Sequence, residues 1–300
     1  MFSAVHTPAA PLSAFVANLW ALSDAPAHEK ERIVPSGTLE LVINLNENEF
    51  RIYDSLENQE CRRFSGAIVS GAYDSFFVID TAEHASVIGV HFKPGGAAPF
   101  LGLPACKLAG THVDLDTLWG PAARQLREAL CTARTLARRF QILEAALLAK
   151  LRGPFRRHAA VQKALGELRR GTAVRDIVGQ VGLSHRRFIE VFSSEVGIRP
   201  KLFGRIERFQ RASALTHRQA SPDWSKIAVE CGYFDQSHLI RDFMAFSGFA
   251  PAEFVRHSLP LMKENHLPLL GEEGSTLSNT DAASESTFSA RKRSRSRIPT

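Results

Sequence analysis

Hydrophobic and polar residues alternate in short runs between residues 32 and 93, which is the two-residue period of a β-strand. The clearest run is Leu39, Leu41, Ile43 and Leu45, whose intervening positions are mostly polar. Such a run predicts a half-buried strand, with one face in the core. Similar runs between turn residues predict strands at residues 38–45, 49–53, 67–70, 76–80 and 86–92.

The period changes to three or four residues after the glycine-containing stretch KPGGAAPFLG, residues 93–102. Residues 121–130 and 135–151 are predicted helices, and the second has an apolar stripe at Leu136, Phe140, Leu143, Leu147 and Leu151. Strands followed by helices indicate an α+β fold, with a small β-barrel or antiparallel sheet and trailing helices.

The sequence Arg152-Gly153-Pro154 breaks the helical pattern, and we place a domain boundary there. Residues 1–152 form the first predicted domain, and residues 153–259 form an all-α domain. From residue 260 to 300 polar residues increasingly dominate and periodicity disappears, which predicts a disordered tail.

The all-α segment contains a weak internal repeat, visible when its apolar positions are superposed. Apolar residues at i, i+3, i+4 and i+7 precede Gly182 in one copy and Gly232 in the other: Val174, Ile177, Val178 and Val181, then Trp224, Ile227, Ala228 and Cys231. A short turn and a second amphipathic segment follow each glycine, and the second turn is one residue longer. The copies also share Gly197/Gly248, Pro200/Pro251 and Phe203/Phe254.

This spacing predicts two helix-turn-helix units joined by a long helix, because a glycine with positive φ ends a helix and permits a tight turn. Ser184 and Asp235 occupy the expected N-cap positions of the second helices, which we call the reading helices. Their predicted buried positions are Phe188 and Phe192, then Leu239 and Phe243. The outward positions are His185, Arg186, Arg187 and Glu190 in the first unit, and Gln236, Ser237, His238 and Arg241 in the second.

The outward residue types can hydrogen-bond base edges in the major groove of double-stranded DNA. Arg pairs with guanine, Gln pairs with adenine, and Glu accepts a hydrogen bond from cytosine. Each residue also has an alternative role: Arg186 and Arg187 as phosphate contacts or solvent charges, and Glu190 and Arg241 as members of surface ion pairs. We predict that the two reading helices together form a surface that reads DNA.

The connecting segment, residues 200–217, reads as one helix that begins with proline. At ~1.5 Å per residue it is roughly 27 Å long, comparable to the ~34 Å between successive major grooves on one face of DNA. It could therefore place both reading helices on one side of a duplex. Its Arg205, Arg208 and Arg211 are candidate phosphate contacts or solvent-facing charges.

The positive charge of the chain lies in the helical segment. Residues 153–259 contain 17 Lys and Arg against 10 Asp and Glu, whereas residues 1–152 contain 14 against 16. This distribution indicates either a polyanionic partner or a solvated helical surface. The basic run RKRSRSR, residues 291–297, is either a solvated tail or a weak non-specific attractor of DNA.

Residues 158–257 resemble the DNA-binding region of AraC/XylS-type transcriptional regulators, through DIVGQVGLSHRRFIEVFSSEVGIRPKLF and IAVECGYFDQSHLIRDFMAFSGFAPAEF. In that family two helix-turn-helix units are joined by a long helix, and the second helix of each enters the major groove. The resemblance implies a DNA-reading role for Arg186, Arg187, Glu190, Gln236, Ser237, His238 and Arg241. Met244 departs from the family, which more often has Lys there and a phosphate contact.

Residues 1–152 resemble, more weakly, an N-terminal domain of some of these regulators, through IVPSGTLELVINL and GVHFKPGGAAPFLG. The resemblance implies a sensing or dimerising module without identifying a ligand. Glu40 is either the polar-face member of its strand or a buried carboxylate aimed at a ligand. The pair Gly95-Gly96 either binds an anion or makes a tight turn.

No pattern indicates catalysis, a metal or a cofactor. Glu83, His84 and His91 lack the spacing of a metal site, so both histidines are expected on strand surfaces or turns. No nucleophile elbow, phosphate loop or dinucleotide fingerprint occurs. The four cysteines are widely spaced, as in reduced cytosolic proteins, and we predict neither a secretory leader nor a membrane span.

These observations predict a cytoplasmic, non-enzymatic, sequence-specific DNA-binding transcriptional regulator, controlled by a small-molecule effector or by dimerisation through its N-terminal domain. Its expected partners are double-stranded DNA, an effector, a second copy of the chain and, for an activator, RNA polymerase. The competing hypothesis is a β-barrel enzyme or small-molecule-binding protein whose helical half serves only for interaction.

Overall fold

Two antiparallel sheets dominate the first part of the chain in the computed structural model, which describes residues 2–23, 30–53, 60–81, 86–153, 157–216, 222–257 and 266–268. The strands are β1 (Phe2–His6), β2 (Val16–Ser23), β3 (Lys30–Ile33), β4 (Glu40–Asn44), β5 (Glu49–Tyr53), β6 (Arg62–Ser65), β7 (Ala67–Ser70), β8 (Phe77–Asp80), β9 (Ser86–Phe92), β10 (His112–Asp114) and β11 (His266–Pro268). One sheet has the order β1-β2-β9-β4-β7-β10, and the other has the order β11-β3-β8-β5-β6. The predicted α+β class is confirmed, with two antiparallel sheets rather than one closed barrel.

Strand β4 is buried on both faces. Leu41 and Ile43 belong to the large core that includes the helices, whereas Val42 packs in a second cluster between the sheets. Asn44 is fully buried, and its side-chain amide donates to the carbonyl of Glu49 at 3.1 Å. The prediction of a half-buried strand is therefore wrong for β4, because the stacking of a second sheet covers the face that the alternation assigns to solvent.

The five predicted strands are confirmed with shifts of at most two residues at their ends. Strand β3 illustrates the strands that were not predicted, because its sequence KERI contains three charged residues. Glu31 and Arg32 are nevertheless buried, and their partners His266 and Ser247 lie 235 and 215 positions away in the sequence. A local pattern cannot show that a charged side chain has such a distant partner.

Strand β11 lies within the tail that the sequence predicts to be disordered, so that prediction is wrong at residues 266–268. The strand pairs antiparallel with β3, and Leu267 is buried in the large core. The imidazole of His266 lies 2.7 Å from a carboxylate oxygen of Glu31. Residues 269–300, including the basic run 291–297, lie outside the described residues, as do Glu83 and His84.

Helices pack beside the sheets and continue to residue 257. They are α1 (Ala98–Leu101), α2 (Leu115–Trp119), α3 (Pro121–Thr132), α4 (Leu136–Lys150), α5 (Ala159–Arg169), α6 (Val174–Val178), α7 (His185–Val196), α8 (Pro200–Thr216), α9 (Trp224–Glu230), α10 (Gln236–Ser247) and α11 (Pro251–His257). The predicted helices 121–130 and 135–151 are confirmed as α3 and α4. Thr135 caps α4 by accepting a hydrogen bond from the Arg138 N–H at 3.3 Å.

The strand half, residues 1–152, and the helical half, residues 153–257, pack against each other. By their contacts, residues 1–269 form one compact unit, and the large core contains residues of both halves. The domain boundary after residue 152 therefore stays a prediction. In the part of the chain that the structure describes, no helix is long and apolar enough to cross a membrane.

Candidate nucleic-acid interface

Two helix-turn-helix units occur where the repeat predicts them, α6 with α7 and α9 with α10. The turns contain Gly182 at φ 67° and Gly232 at φ 79°, a region of backbone conformation that favours glycine. The connecting helix α8 runs from Pro200 to Thr216, as predicted, apart from His217, which lies outside the described residues. The predicted arrangement of units and connector is confirmed.

The reading helices α7 and α10 begin at the predicted caps. The Ser184 hydroxyl accepts a hydrogen bond from the Arg187 N–H at 3.3 Å, and the Asp235 carboxylate accepts one from the His238 N–H at 2.7 Å. Each cap satisfies a backbone donor that the helix leaves unpaired at its first turn. The caps therefore fix the start of each reading helix and the direction of its first outward residues.

Buried aromatic residues hold both reading helices on α8. Phe192 of α7 packs edge-on against Phe203 at 5.8 Å between ring centroids, and Phe243 of α10 packs against Phe209 at 5.0 Å. Phe188 and Leu239 are also fully buried. Because these positions repeat every four residues along each helix, the opposite faces with the polar residues are left outward.

The first unit exposes its predicted reading residues. The side chains of Arg186, Arg187 and Glu190 are 91%, 65% and 47% exposed, and His185 is exposed as well. Glu190 accepts hydrogen bonds from Arg186 at 3.1 Å and from Arg187 at 3.5 Å, and the Arg186 contact is the main cause that lowers the pKa of Glu190. The surface ion pairs therefore use the same side chains that are predicted to contact bases, and those base contacts stay a prediction.

The second unit exposes Gln236, Ser237 and Arg241, whereas His238 is half-buried against the ring of Tyr233. The Gln236 side-chain oxygen is 3.1 Å from the Ser225 hydroxyl, which orients the amide. The Arg241 guanidinium donates to the Ser237 carbonyl at 3.3 Å. These contacts are exposed and local, so exchanging them for contacts to DNA costs little.

Phe234 is an exposed aromatic residue to which the sequence pattern assigns no role. It is the extra residue of the longer second turn, and its side chain is 91% exposed directly before the Asp235 cap. In the first unit the corresponding Leu183 packs against the core, and in the second unit Tyr233 takes that place. The one-residue difference in turn length was the sequence signal that could have pointed to Phe234.

Met244 lies on α10, at a position where the family more often has Lys, and it is 48% exposed.

The arginines of α8 all contact the second unit, so the alternative in which they only face solvent is wrong. Arg205 donates twice to Asp242, at 2.7 and 3.1 Å. Arg208 stacks over the ring of Tyr233 with 5.4 Å between its guanidinium carbon and the ring centroid, and Arg211 donates to the Cys231 carbonyl at 3.3 Å. Their predicted phosphate contacts stay predictions.

A basic cleft of about 700 Å³ lies between the two units. Its charged and polar lining includes Lys201, Arg205, Arg208, His238, Arg241 and Asp242. The cleft thus joins residues predicted to contact phosphates with residues predicted to contact bases. Such a positively lined concave surface attracts a polyanion more strongly than isolated charges do.

A second cavity, of about 40 Å³, lies between the sheets of the strand half and is mostly apolar. Glu40 lines it, and a carboxylate oxygen of Glu40 is 2.6 Å from Nδ1 of the partly buried His91. His112 also lines it, and burial lowers the pKa of His112 to about 3. Among the residues that the structure describes, no three His, Cys, Asp or Glu side chains are grouped to hold a metal ion.

Comparison with known proteins agrees with the architecture. Residues 177–257 match the model of a helix-turn-helix domain family, and residues 4–114 match a domain of unknown function, DUF6597. No curated protein matches the chain. The C-terminal segment therefore contains a helix-turn-helix domain, the kind of domain with which DNA-binding transcription regulators bind DNA. This match lies within residues 158–257, the segment whose sequence motifs resemble the DNA-binding region of AraC/XylS-type regulators, and it agrees with that resemblance.

Among solved structures, the chain is similar to ToxT from Vibrio cholerae. A ToxT variant in its apo form has 12% identity and a TM-score of 0.45, with 79% of this chain and 97% of that chain covered. ToxT bound to an unsaturated fatty acid has 11% identity and a TM-score of 0.43, with 80% and 94% covered.

Proposed function

We propose that this regulator reads a specific double-stranded DNA sequence through the outward faces of α7 and α10, under the control of its strand half. The observation that supports the proposal is the pairing of two capped, outward-facing polar helices on one buried connector. Arg186 and Arg187 are proposed to contact guanine, Gln236 adenine and Glu190 cytosine. His185, Ser237, His238 and Arg241 complete the proposed base-reading set.

Arg205, Arg208 and Arg211 are proposed to act near the DNA backbone. Arg205 and Arg208 line the basic cleft, so their charges lie beside the reading residues of the second unit. Arg211 is bonded to the Cys231 carbonyl next to the turn glycine. Phosphate contacts of this kind fix the register of a protein on a duplex, whereas base contacts select the sequence.

The full-length chain is expected to bind selected genomic DNA fragments with an affinity that falls as salt rises. The physical reason is counterion release, which gives a slope of about −0.9 in log K against log salt for each phosphate neutralised. Fluorescence anisotropy between about 50 and 200 mM salt measures the slope, and a scrambled duplex is the control. Equal affinity for both duplexes would contradict sequence-specific reading.

We propose that a small-molecule effector binds a cleft of about 650 Å³ between the two halves of the chain. This size is typical of ligand pockets, which often lie at domain interfaces. Polar groups from both halves converge on it: Thr38, His91 and Lys93 from the strand half, and Gln162, Arg169 and Gln210 from the helical half. A ligand there would contact both halves at once.

Gly166 provides a test of this site, because it lines the cleft on α5 and, apart from the backbone of its own helix, the nearest atom to a Cβ placed there is the Arg170 guanidinium at 4.0 Å. Fractionated small-molecule extracts of the source cells are expected to raise the Tm of the wild-type chain but not of Gly166→Leu, whose side chain enters the cleft. Gly166→Ala is the matched control. An equal rise in all three proteins would place the effector elsewhere.

Control by dimerisation and contact with RNA polymerase are proposed as well, the latter for an activator. Sedimentation velocity at two protein concentrations, with and without DNA, tests the homodimer, and a single monomeric species throughout would exclude it. We propose a non-enzymatic role without a cofactor in the cytoplasm, where such a regulator meets DNA. Turnover of any substrate by the chain would contradict this role.

A further inference from the structure

The second reading helix ends against the strand half. Helix α10 is closed by Gly248, which has φ 71°, and a Cβ placed there would lie 2.9 Å from the Arg32 guanidinium and 2.7 Å from the Phe76 ring. The buried Arg32 donates to the carbonyl of Ser247 at 2.8 Å. Its guanidinium carbon lies 3.8 Å from the ring centroid of Phe249. A cation at a helix C-terminus is favourable, so Arg32 both holds and stabilises the end of α10.

The first reading helix ends against the same segment of the strand half. Helix α7 is closed by Gly197, the repeat partner of Gly248, with φ 100°. A Cβ placed on Gly197 would lie 3.3 Å from the Leu39 side chain and 3.5 Å from Ala72. The two equivalent ends of the repeated units therefore contact the two ends of one segment, residues 32–39, which runs from within β3 to the start of β4.

The middle of that segment contacts the connecting helix α8. The Gln210 side-chain amide donates to the Pro35 carbonyl at 2.5 Å. Gly37, at φ 74°, brings its backbone so close to α8 that a Cβ there would lie 3.4 Å from Phe203 and 3.5 Å from Ile206. Residues 32–39, in the sequence RIVPSGTL, thus contact α7, α8 and α10.

We propose that residues 32–39, which we call the positioning loop, set the placement of the two reading helices relative to each other on DNA. This role rests on the proposed DNA-reading function. It gives a function to the motif IVPSGTLELVINL of the strand half, which the DNA-reading residues do not include. Arg32 is a positioning residue, because it acts through the end of α10 and lies on a strand rather than on a reading helix.

The positioning loop also connects to the proposed effector cleft. Ser36 and Thr38 line the cleft, and the Thr38 hydroxyl is 3.3 Å from Nε2 of His91. The other ring nitrogen of His91 is bonded to Glu40, at the start of β4. A ligand that moves Ser36, Thr38 or His91 would therefore act on the loop that holds both reading helices. This connection gives regulation a physical path from the cleft to the DNA-reading surface.

The test compares Arg32→Gln with Arg63→Ala in the full-length chain. Arg63 lies on β6, at the opposite edge of the same sheet, and its guanidinium is exposed and bonded to Glu49. Each protein is measured on DNA with both subsites, on DNA with one subsite scrambled, and on a library in which the spacing between subsites varies. Circular dichroism establishes the folded fraction at the assay temperature.

Arg32→Gln is expected to bind the single-subsite DNA within about twofold of wild type and to lose about tenfold on the two-subsite DNA. The reason is that loosening one reading helix lowers the effective concentration of the second contact. Its selected spacings should broaden, whereas Arg63→Ala should behave as wild type. Gln210→Leu removes the hydrogen-bond donor to the Pro35 carbonyl. It should lower the affinity for two-subsite DNA and broaden the selected spacings in the same way, and it replaces Arg32→Gln in the test if that variant does not fold.

An unchanged affinity ratio and an unchanged spacing preference in both Arg32→Gln and Gln210→Leu would overturn the positioning role while leaving the DNA-reading function intact. Absence of specific DNA binding by the wild-type chain would overturn both proposals. An equal loss on all DNA, with a native circular dichroism spectrum, would also contradict a role in relative placement.

Discussion

Arg205→Ala is expected to lower the free energy of unfolding by about 3 kcal/mol, because it leaves the Asp242 carboxylate buried without its ion-pair partner. The Asp242 side chain is only 2% exposed, and the guanidinium of Arg205 donates to one of its oxygens twice. The value is at the lower end of the range for broken buried pairs because the Arg205 side chain is 35% exposed. Urea unfolding followed by circular dichroism measures the change.

Arg170→Ala is the matched control for this ion pair. The Arg170 side chain is 73% exposed and bonds Glu167 on the same helical surface, so its loss should cost less than about 1 kcal/mol. Adding Asp242→Asn to Arg205→Ala should recover part of the stability, because a neutral amide is cheaper to bury than a carboxylate. A cost for Arg205→Ala no larger than that for Arg170→Ala would show that the pair contributes nothing to joining α8 and α10.

Arg186→Ala and Arg241→Ala are each expected to weaken specific DNA binding by about 1–3 kcal/mol and to relax the preference for one base pair. A bidentate arginine contact discriminates against the wrong base by that amount. Arg186 stands exposed on α7, and Arg241 stands exposed on α10 beside the basic cleft. Binding selection from a randomised duplex, followed by anisotropy on the selected sequences, measures the affinity and the base preference.

Arg175→Ala is the control for base reading. Arg175 is 88% exposed, but it lies on α6, the first helix of its unit. Its loss should change affinity by a similar small factor on every sequence, as expected for a charge near the phosphates. If Arg186→Ala gave the same uniform loss, Arg186 would be a phosphate contact, which is one of its alternatives from the sequence.

Much of the DNA-binding architecture could be predicted from the sequence, because its signals are local. The periodic apolar positions defined the helices, Gly182 and Gly232 defined the turns, and Ser184 and Asp235 defined the caps. Each of these features depends on residues within one or two helical turns. Because the two units repeat the same pattern, the prediction of each unit supported the prediction of the other.

The arginines of α8 make contacts that no local sequence pattern predicts. Their spacing and charge suggested phosphate contacts or solvent exposure, and neither alternative included Asp242. That carboxylate lies 37 positions from Arg205 and on another helix, so no local pattern joins them. The exposed Phe234 was missed for a related reason, since the longer turn decides which of two adjacent aromatic residues is buried.

The strand half depended more on tertiary structure than the helical half. The alternation in β4 predicted its position, but the second sheet decided that both faces are buried. The charged sequence of β3 does not predict a buried strand. Its burial depends on contacts of Glu31 with His266 of β11 and of Arg32 with the end of α10. Burial of charge becomes favourable only once such partners are in place.

The sequence by itself therefore determined the two helix-turn-helix units, their caps, their turns and the polar character of their outward faces. Hydrophobic period, capping chemistry and glycine conformation act over a few residues and can be recognised in the order of the chain. Only the tertiary structure decided that both reading helices end on one segment of the strand half. That contact joins Gly197 and Gly248 to Leu39 and Arg32, residues brought together by packing rather than by any local pattern.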